Sequence, residues 1–315
     1  MVRSGIFSPR KLVEKFTPFV REPGMAARWF PGLTRPLRSG LADAPASLGR
    51  IGSLEVRLAR SAKEIKAAQK LRYHVFYEEM SAIADAQTLA SKRDVDAFDA
   101  ICDHMLVIDH ASLKRNKIGR LQPQIVGTYR LLRQTVADRH GGFYTAAEYD
   151  IQPLIDANPG LNFLELGRSC VLKPYRNKRT VELLWHGIWS YVLMHRIDVM
   201  IGCASIEGTD PDRIATQLSF LHHHARAPEA WRVRALPERH VEMNRLAKDA
   251  LNEKAALRDL PPLVKGYLRL GAYIGDGAVI DHQFGTTDIL IVLPVSALNE
   301  RYVNYYGADA SRYAS

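Results

Sequence analysis

The alternation and helical spacing of apolar residues lay out most of the chain. Leu54-Glu55-Val56-Arg57-Leu58 alternates apolar and polar residues, which predicts a half-buried strand. Ser61 with Glu64 three residues on has the form of a capping box. Ile65, Ala68, Leu71, Arg72, Val75 and Phe76 then follow at helical spacing. Residues 81–103 are polar and acidic without a period and read as a loop. Met105 to Asp109 reads as a strand, Ala111 to Pro123 as a basic turn and Ile125 to Leu132 as the returning strand of a hairpin. Phe163 to Leu172 is a further strand. Thr180 to His195 is a helix whose apolar stripe is Leu183, Leu184, Gly187, Ile188, Tyr191 and Val192. Val199 to Ile206 is a buried strand, residues 210–260 look helical and polar, and Leu270 to Asp281 and Thr287 to Pro294 add strands. The implied fold class is α/β of the α+β kind: a mixed, mostly antiparallel central sheet flanked by helices, with a C-terminal extension.

Composition adds limits to this layout. With 47% hydrophobic and 24% charged residues, the chain can bury an ordinary globular core. No apolar run reaches the ~18 residues that a membrane-spanning helix needs, and the N-terminus has no continuous apolar signal region. Cys102, Cys170 and Cys203 are odd in number and form no CxxC pair, so reduced thiols in a cytoplasmic protein are expected.

Charge is unevenly spread. The net +9 is concentrated in residues 1–50, where Arg3, Arg10, Lys11, Lys15, Arg21, Arg28, Arg35, Arg38 and Arg50 face only Glu14, Glu22 and Asp43. The body is therefore not a nucleic-acid binder by charge. A helix from Ser8-Pro9 would place Leu12, Phe16, Phe19 and Val20 on one face beside Arg10, Lys11 and Lys15, suited to an anionic membrane surface. A disordered arm, or one that packs on its own domain, fits the same residues. The expected organisation is a basic, aromatic arm at 1–50, a folded domain at 51–295 and a tail at 296–315. The location expected is cytoplasmic, with peripheral contact at the inner membrane.

The residues with chemical potential are spread along the body. Glu165 and Arg168 lie three apart on a strand, so they face opposite ways unless a bulge intervenes, and Gly167 is the expected place for one. A carboxylate so placed orients an amine or accepts its proton, with the arginine keeping it ionised. Taken alone, the two residues are better read as an ordinary ion pair. Arg72 and Phe76 share a helix face, Asp96 and Asp99 bracket Ala97-Phe98, and Arg130 closes Gly127-Thr128-Tyr129-Arg130. His222-His223-His224 point in different directions on a helix and have no partner at ligand spacing, so a metal site is not expected there.

In this order and spacing, Arg-x-x-x-Phe, Asp-x-Phe-Asp, Gly-x-x-Arg-Leu-Leu and Glu-Leu-x-Arg resemble the pattern of acyl-homoserine-lactone synthases. The nearer resemblance is to ornithine acyl-ACP N-acyltransferases of the GNAT superfamily. It is carried by Leu71-Arg72-Tyr73-His74-Val75-Phe76, Leu164-Glu165-Leu166-Gly167-Arg168-Ser169 and Leu263-Val264-Lys265-Gly266-Tyr267 among other segments over residues ~54–295. Ala82 stands where the lactone synthases have a tryptophan, and the chain continues about a hundred residues past the GNAT core, which disfavours S-adenosylmethionine as acceptor.

The resemblance implies acylation of the α-amine of L-ornithine from an acyl carrier protein thioester, without metal or redox cofactor. Glu165 would be the general base or the acid that orients the amine. Arg168, Asp96, Asp99 and Arg72 would shape the acceptor site, with Phe76 beside Arg72, and Arg130 would serve the acyl or acceptor pocket. Arg176, Lys178, Arg179 and Thr180 stand where GNAT enzymes bind the donor's phosphate, although the usual glycines are missing. Acylation of another amine, and a non-catalytic module that binds the carrier protein or a membrane, remain as competing readings.

Overall fold

The computed structural model describes residues 47–115 and 119–298. The basic arm, apart from its last four residues, and the C-terminal tail, apart from its first three, lie outside the described residues. By backbone contacts the chain divides into two compact units. One holds residues 47–144 and 162–198, and the other residues 145–161 and 199–298.

The first unit is built on five antiparallel strands in sequential order: β1 (Gly49–Ile51), β2 (Leu54–Leu58), β3 (Asp103–Arg115), β4 (Leu121–Arg133) and β5 (Phe163–Val171). Between β2 and β3 runs α1 (Ala62–Tyr73), which widens into a π-helical segment at His74–Glu79. Ser61 caps α1 by accepting from the Glu64 amide, as its spacing suggested. The segment 81–103 is not all loop. It contains α2 (Ala86–Ser91), capped by Asp85, and a 3-10 turn at Ala97–Ala100. The expected basic turn at 111–123 is instead strand, because β3 and β4 continue pairing as far as Arg115 and Leu121. The helix expected from Thr180 begins earlier, as α3 (Lys178–His195), with Asn177 as its cap.

Two helices cover opposite faces of this sheet. Alternation along β3 separates Met105 from Leu106. Leu106 and Ile108 pack with Ala68 of α1. On the other side, a Cβ placed at Gly187 of α3 would come within 2.7 Å of Val56 Cγ2 and 2.9 Å of Met105 Sδ. A side chain at 187 would hold the helix off the sheet, so only glycine permits this approach. The apolar stripe of α3 is buried as its period indicated, and Trp189 and Tyr191 belong to that core.

The second unit pairs β6 (Val199–Glu207) with β9 (Thr286–Pro294) along their full length, β9 with β8 (Tyr273–Asp281), and β8 with the short β7 (His240–Val241). All these ladders are antiparallel, with two isolated parallel bridges at Arg226–Ile274 and Arg234–Asp276. Residues 210–260 are less helical than their polarity suggested. Only α4 (Ala215–Ala225) and α5 (Glu253–Asp259) are α-helices there, and α6 (Pro262–Leu270) follows and takes the place of the strand start expected at Leu270. Tyr149 is fully buried, and its hydroxyl donates to the carbonyls of Gly277 and Asp288 at 3.2 and 3.0 Å.

Candidate active site

The site lies in the first unit, on the sheet face that α1 covers. Directly opposed residues in an antiparallel pair share a face. His104 on β3 opposes Arg130 on β4, Arg130 opposes Gly167 on β5, and Leu132 opposes Glu165. Arg130 and Glu165 therefore point the same way. Between the pairs Thr128–Cys170 and Arg130–Gly167, β5 carries one residue more than β4. The expected bulge is present, but its left-handed residue is Arg168 (φ 49°), and Gly167 stays in register. A non-glycine in that conformation costs about 1–3 kcal/mol and needs surrounding contacts to hold it. A Cβ at Gly167 would meet nothing within 4 Å, so the face is open beside Arg130.

Three arginines and three aspartates converge there. Arg72, on α1 and 1% exposed, places Nε 2.7 Å from Asp94 Oδ2 and donates to both oxygens of Asp99 at 2.7 and 2.8 Å. Gln69 also donates to Asp99, at 3.0 Å. Arg130 donates to Asp96 at 2.6 and 2.7 Å, and its guanidinium lies 5.6 Å from the ring centres of both Phe98 and Tyr144. Arg168 reaches Asp94 and Asp96 at 3.3 Å each and sits 4.9 Å from the Tyr144 ring centre. Asp96 and Asp99 also form a reciprocal capping box around the turn at 97–100, so one short turn presents both carboxylates to the arginines. Glu165, 5% exposed, accepts from the Tyr144 amide at 2.9 Å. Tyr144 thus links Glu165 to Arg168, and the bulge brings the two residues to one place.

Protonation follows from these contacts. Burial works against the Asp99 carboxylate, but hydrogen bonds and charge from Arg72, with the charge of Arg130, hold its pKa at about 2. Burial opposes the Arg168 charge, and Tyr144, Asp94 and Asp96 more than offset this, raising its pKa further above the ordinary value. Burial lowers the pKa of His104, whose Nε2 lies 2.9 Å from the Asp99 carbonyl. A neutral ring donating from Nε2 fits both facts. Burial also pushes the nearby Cys102 thiol up to about 12, with Glu165, Asp96 and Asp99 adding to it, so Cys102 is not a thiolate nucleophile.

The expected site residues divide by exposure. Arg72, Asp99 and Arg130 have side chains 1–6% exposed, and Glu165 is buried to the same degree at 5%. Asp96 at 24% and Arg168 at 15% are the members that solvent reaches. Phe76 packs, partly buried, against a core cluster of Leu71, Val75 and Cys170. Asp94, Tyr144, Gln69 and His104 were not singled out in the sequence. Asp94 lay in a segment without period, and Tyr144 enters by the main-chain path before β5, which leaves no local signal.

The residues expected to meet the donor lie around the start of α3. Arg176 pairs with Glu79 at 2.5 Å, and Lys178 is 88% exposed beside Glu182 at 3.5 Å. Arg179 covers the backbone at Gly52, where a Cβ would fall 2.3 Å from its guanidinium. Thr180 is fully buried, and its amide donates to Asn177 Oδ1 at 3.1 Å. That amide is therefore capped by Asn177 here, not one of the free donors expected for a phosphate.

Elsewhere, the three consecutive histidines go separate ways: His223 Nε2 lies 2.9 Å from the Leu246 carbonyl and His224 lies 3.2 Å from Glu253. In the second unit the carboxylates of Glu148, Asp281 and Asp288 have oxygens within 4.8 Å of one another, a group that could hold a cation. Burial, then the charge of Asp288, raises the pKa of Glu148.

A family model described as an acetyltransferase (GNAT) domain matches residues 71–186, which span the site from α1 to α3. The chain is 57% identical over 274 residues to the L-ornithine N(alpha)-acyltransferase of Rhizobium meliloti (strain 1021), covering 86% of this chain and 91% of that one. The protein of the same name from Brucella abortus (strain 2308) is 57% identical over 266 residues, 84% of this chain and 93% of its own. That from Rhodobacter capsulatus is 41% identical over 254 residues, 81% of this chain and 95% of its own.

Proposed function

This chain belongs to the family of L-ornithine N(alpha)-acyltransferases, with a GNAT-like fold, and on that premise we propose how its site performs an N-acyl transfer to ornithine. The observation that carries the reading is the placement of Glu165 beside Tyr144 and the bulged Arg168, on a face left open at Gly167.

Ornithine brings a carboxylate and a side-chain ammonium. Arg168 and Asp96, the two solvent-reached charges of the cluster, offer one partner of each sign. Glu165 orients the α-amine and receives its proton, directly or through a water. The amine nitrogen then attacks the thioester carbonyl, the tetrahedral centre collapses, the C–S bond breaks, and the departing sulfur takes the extra proton carried by the attacking nitrogen, so that an amide and a thiol result. In this reading, main-chain amides near Ser169 to Val171 receive the oxyanion. Holding amine and thioester together supplies much of the rate. The donor in this reading is a (3-hydroxy)fatty acyl thioester of acyl carrier protein, and Arg176, Lys178 and Arg179 meet that acidic protein or the phosphate of its arm. The product is a lyso-ornithine lipid. No helix among the described residues is long and apolar enough to cross a membrane. Peripheral contact through residues 1–50 is part of the same proposal.

The test is Glu165→Gln. With ornithine and 3-hydroxyacyl carrier protein, turnover is expected to fall by about 10²–10⁴ between pH 6 and 9, with products followed by mass spectrometry. A variant running at the wild-type rate across that range removes Glu165 from the chemistry.

A further inference from the structure

The distal end of the β3–β4 hairpin has no role in the site. β2 stops pairing with β3 at Asp109, and β5 stops pairing with β4 at Gly127. Past single main-chain bonds from His110 to Ser53 and from Leu172 to Val126, the described residues of the two strands pair with each other. The register jumps between Asp109 and Leu113, so an irregularity separates the distal ribbon from the sheet and can re-aim it. A two-stranded ribbon of this kind has little stability of its own.

Its composition is unusual for a free edge. Leu113 opposes Pro123 and Arg115 opposes Leu121, so Leu113, Arg115, Leu121 and Pro123 share one face. Leu113 and Leu121 are 51% and 52% exposed, and Pro123 is also exposed. The opposite face carries Lys114 and Gln122, and Gln122 accepts from Lys63 at the start of α1 at 3.1 Å. The side that carries the leucines is thus the one turned outward. From Ala111 to Gln124 there is no acidic residue, and Lys114, Arg115 and Arg120 are all exposed.

We propose that this ribbon is a lipid-contact element that seats the enzyme on an anionic bilayer surface. Leu113, Leu121 and Pro123 enter the boundary between headgroups and acyl chains, and Lys114, Arg115 and Arg120 meet anionic headgroups. Apolar side chains rimmed by cations, with no acid to repel the surface, are what interfacial binding requires. The product chemistry favours lipid over an acidic protein as the occupant, since an acylated amino acid carries a tail that water rejects. That last argument rests on the proposed reaction, whereas the binding assay below does not.

Full-length protein is sedimented with phosphatidylcholine vesicles containing graded phosphatidylglycerol. The charge-reversed variant K114E/R115E/R120E and the separate variant L113S/L121S are compared with wild type. Turnover on a water-soluble acyl-pantetheine thioester reports folding and chemistry independently. Wild type is expected to bind in proportion to phosphatidylglycerol and to be released by salt. The charge-reversed variant is expected to bind on the order of a hundredfold more weakly, and L113S/L121S more weakly at equal charge, both with unchanged turnover on the soluble thioester. Wild type that ignores anionic vesicles, or variants that bind as wild type does, overturns the proposal. So does a charge-reversed variant that keeps vesicle binding but shows a raised KM for acyl carrier protein alone, which would make the ribbon a docking site for that protein.

Discussion

Replacing Asp99 by Asn tests the idea that the sealed part of the charge cluster acts through stability. Asparagine keeps the shape but removes the charge that faces Arg72, a side chain 1% exposed. Two independent arguments give the size. The Asp99 pKa falls from 3.8 to about 2 on folding, and at 1.36 kcal/mol per unit this contributes about 2 kcal/mol at neutral pH. Breaking a buried ion pair by removing one partner costs about 3–5 kcal/mol, and Arg72 keeps Asp94, which points to the lower end. A loss of about 2–3 kcal/mol is therefore expected, on the order of 5–10 °C in Tm.

The pH dependence has a definite sign. A depressed carboxylate pKa stabilises the fold above about 4, and the contribution is lost as pH falls through about 2. The gap between wild type and Asp99→Asn should be constant from pH 7 to 5 and should narrow from pH 4 downward. Urea unfolding followed by the fluorescence of Trp185 and Trp189 on α3, in the same unit, measures it. A variant with wild-type stability but abolished turnover would refute the reasoning, because Asp99 would then act on substrate directly.

Three further outcomes are expected. Arg168→Gly relieves the left-handed strain at 168 but removes a solvent-reached guanidinium, so the KM for ornithine should rise tenfold or more while Tm falls less than in Asp99→Asn; steady-state kinetics with calorimetry checks both. Gly187→Ala forces a methyl to within 2.7 Å of Val56 and should cost about 1–3 kcal/mol in urea unfolding, partly recovered in a double variant with Val56→Ala. Lys178→Glu should raise the KM for acyl carrier protein, whereas Thr180→Val, inside the first turn of α3, should leave it unchanged; a Thr180 effect on KM at constant stability would return that residue to the donor site.

The sequence by itself determined the elements whose apolar residues repeat. β2, α1, β5, α3 and β6 fall within a few residues of where alternation or helical spacing puts them, because burial on one face imposes a period on each. Motif order carried the family, and with it Glu165, Arg168, Asp96, Asp99, Arg72 and Arg130. Spacing could not say which of these a solute can reach. That depends on α1 packing Arg72 against the sheet and on the turn at 97–100 aiming two carboxylates at three arginines, both of them long-range contacts. The bulge was legible from Glu165 and Arg168, but its strained residue was not. Glycine is the cheaper occupant of a positive φ, and contacts with Tyr144, Asp94 and Asp96, gathered from two other segments, hold Arg168 there. The extent of the β3–β4 hairpin was likewise hidden, because strands without a buried face leave no apolar period for the sequence to show.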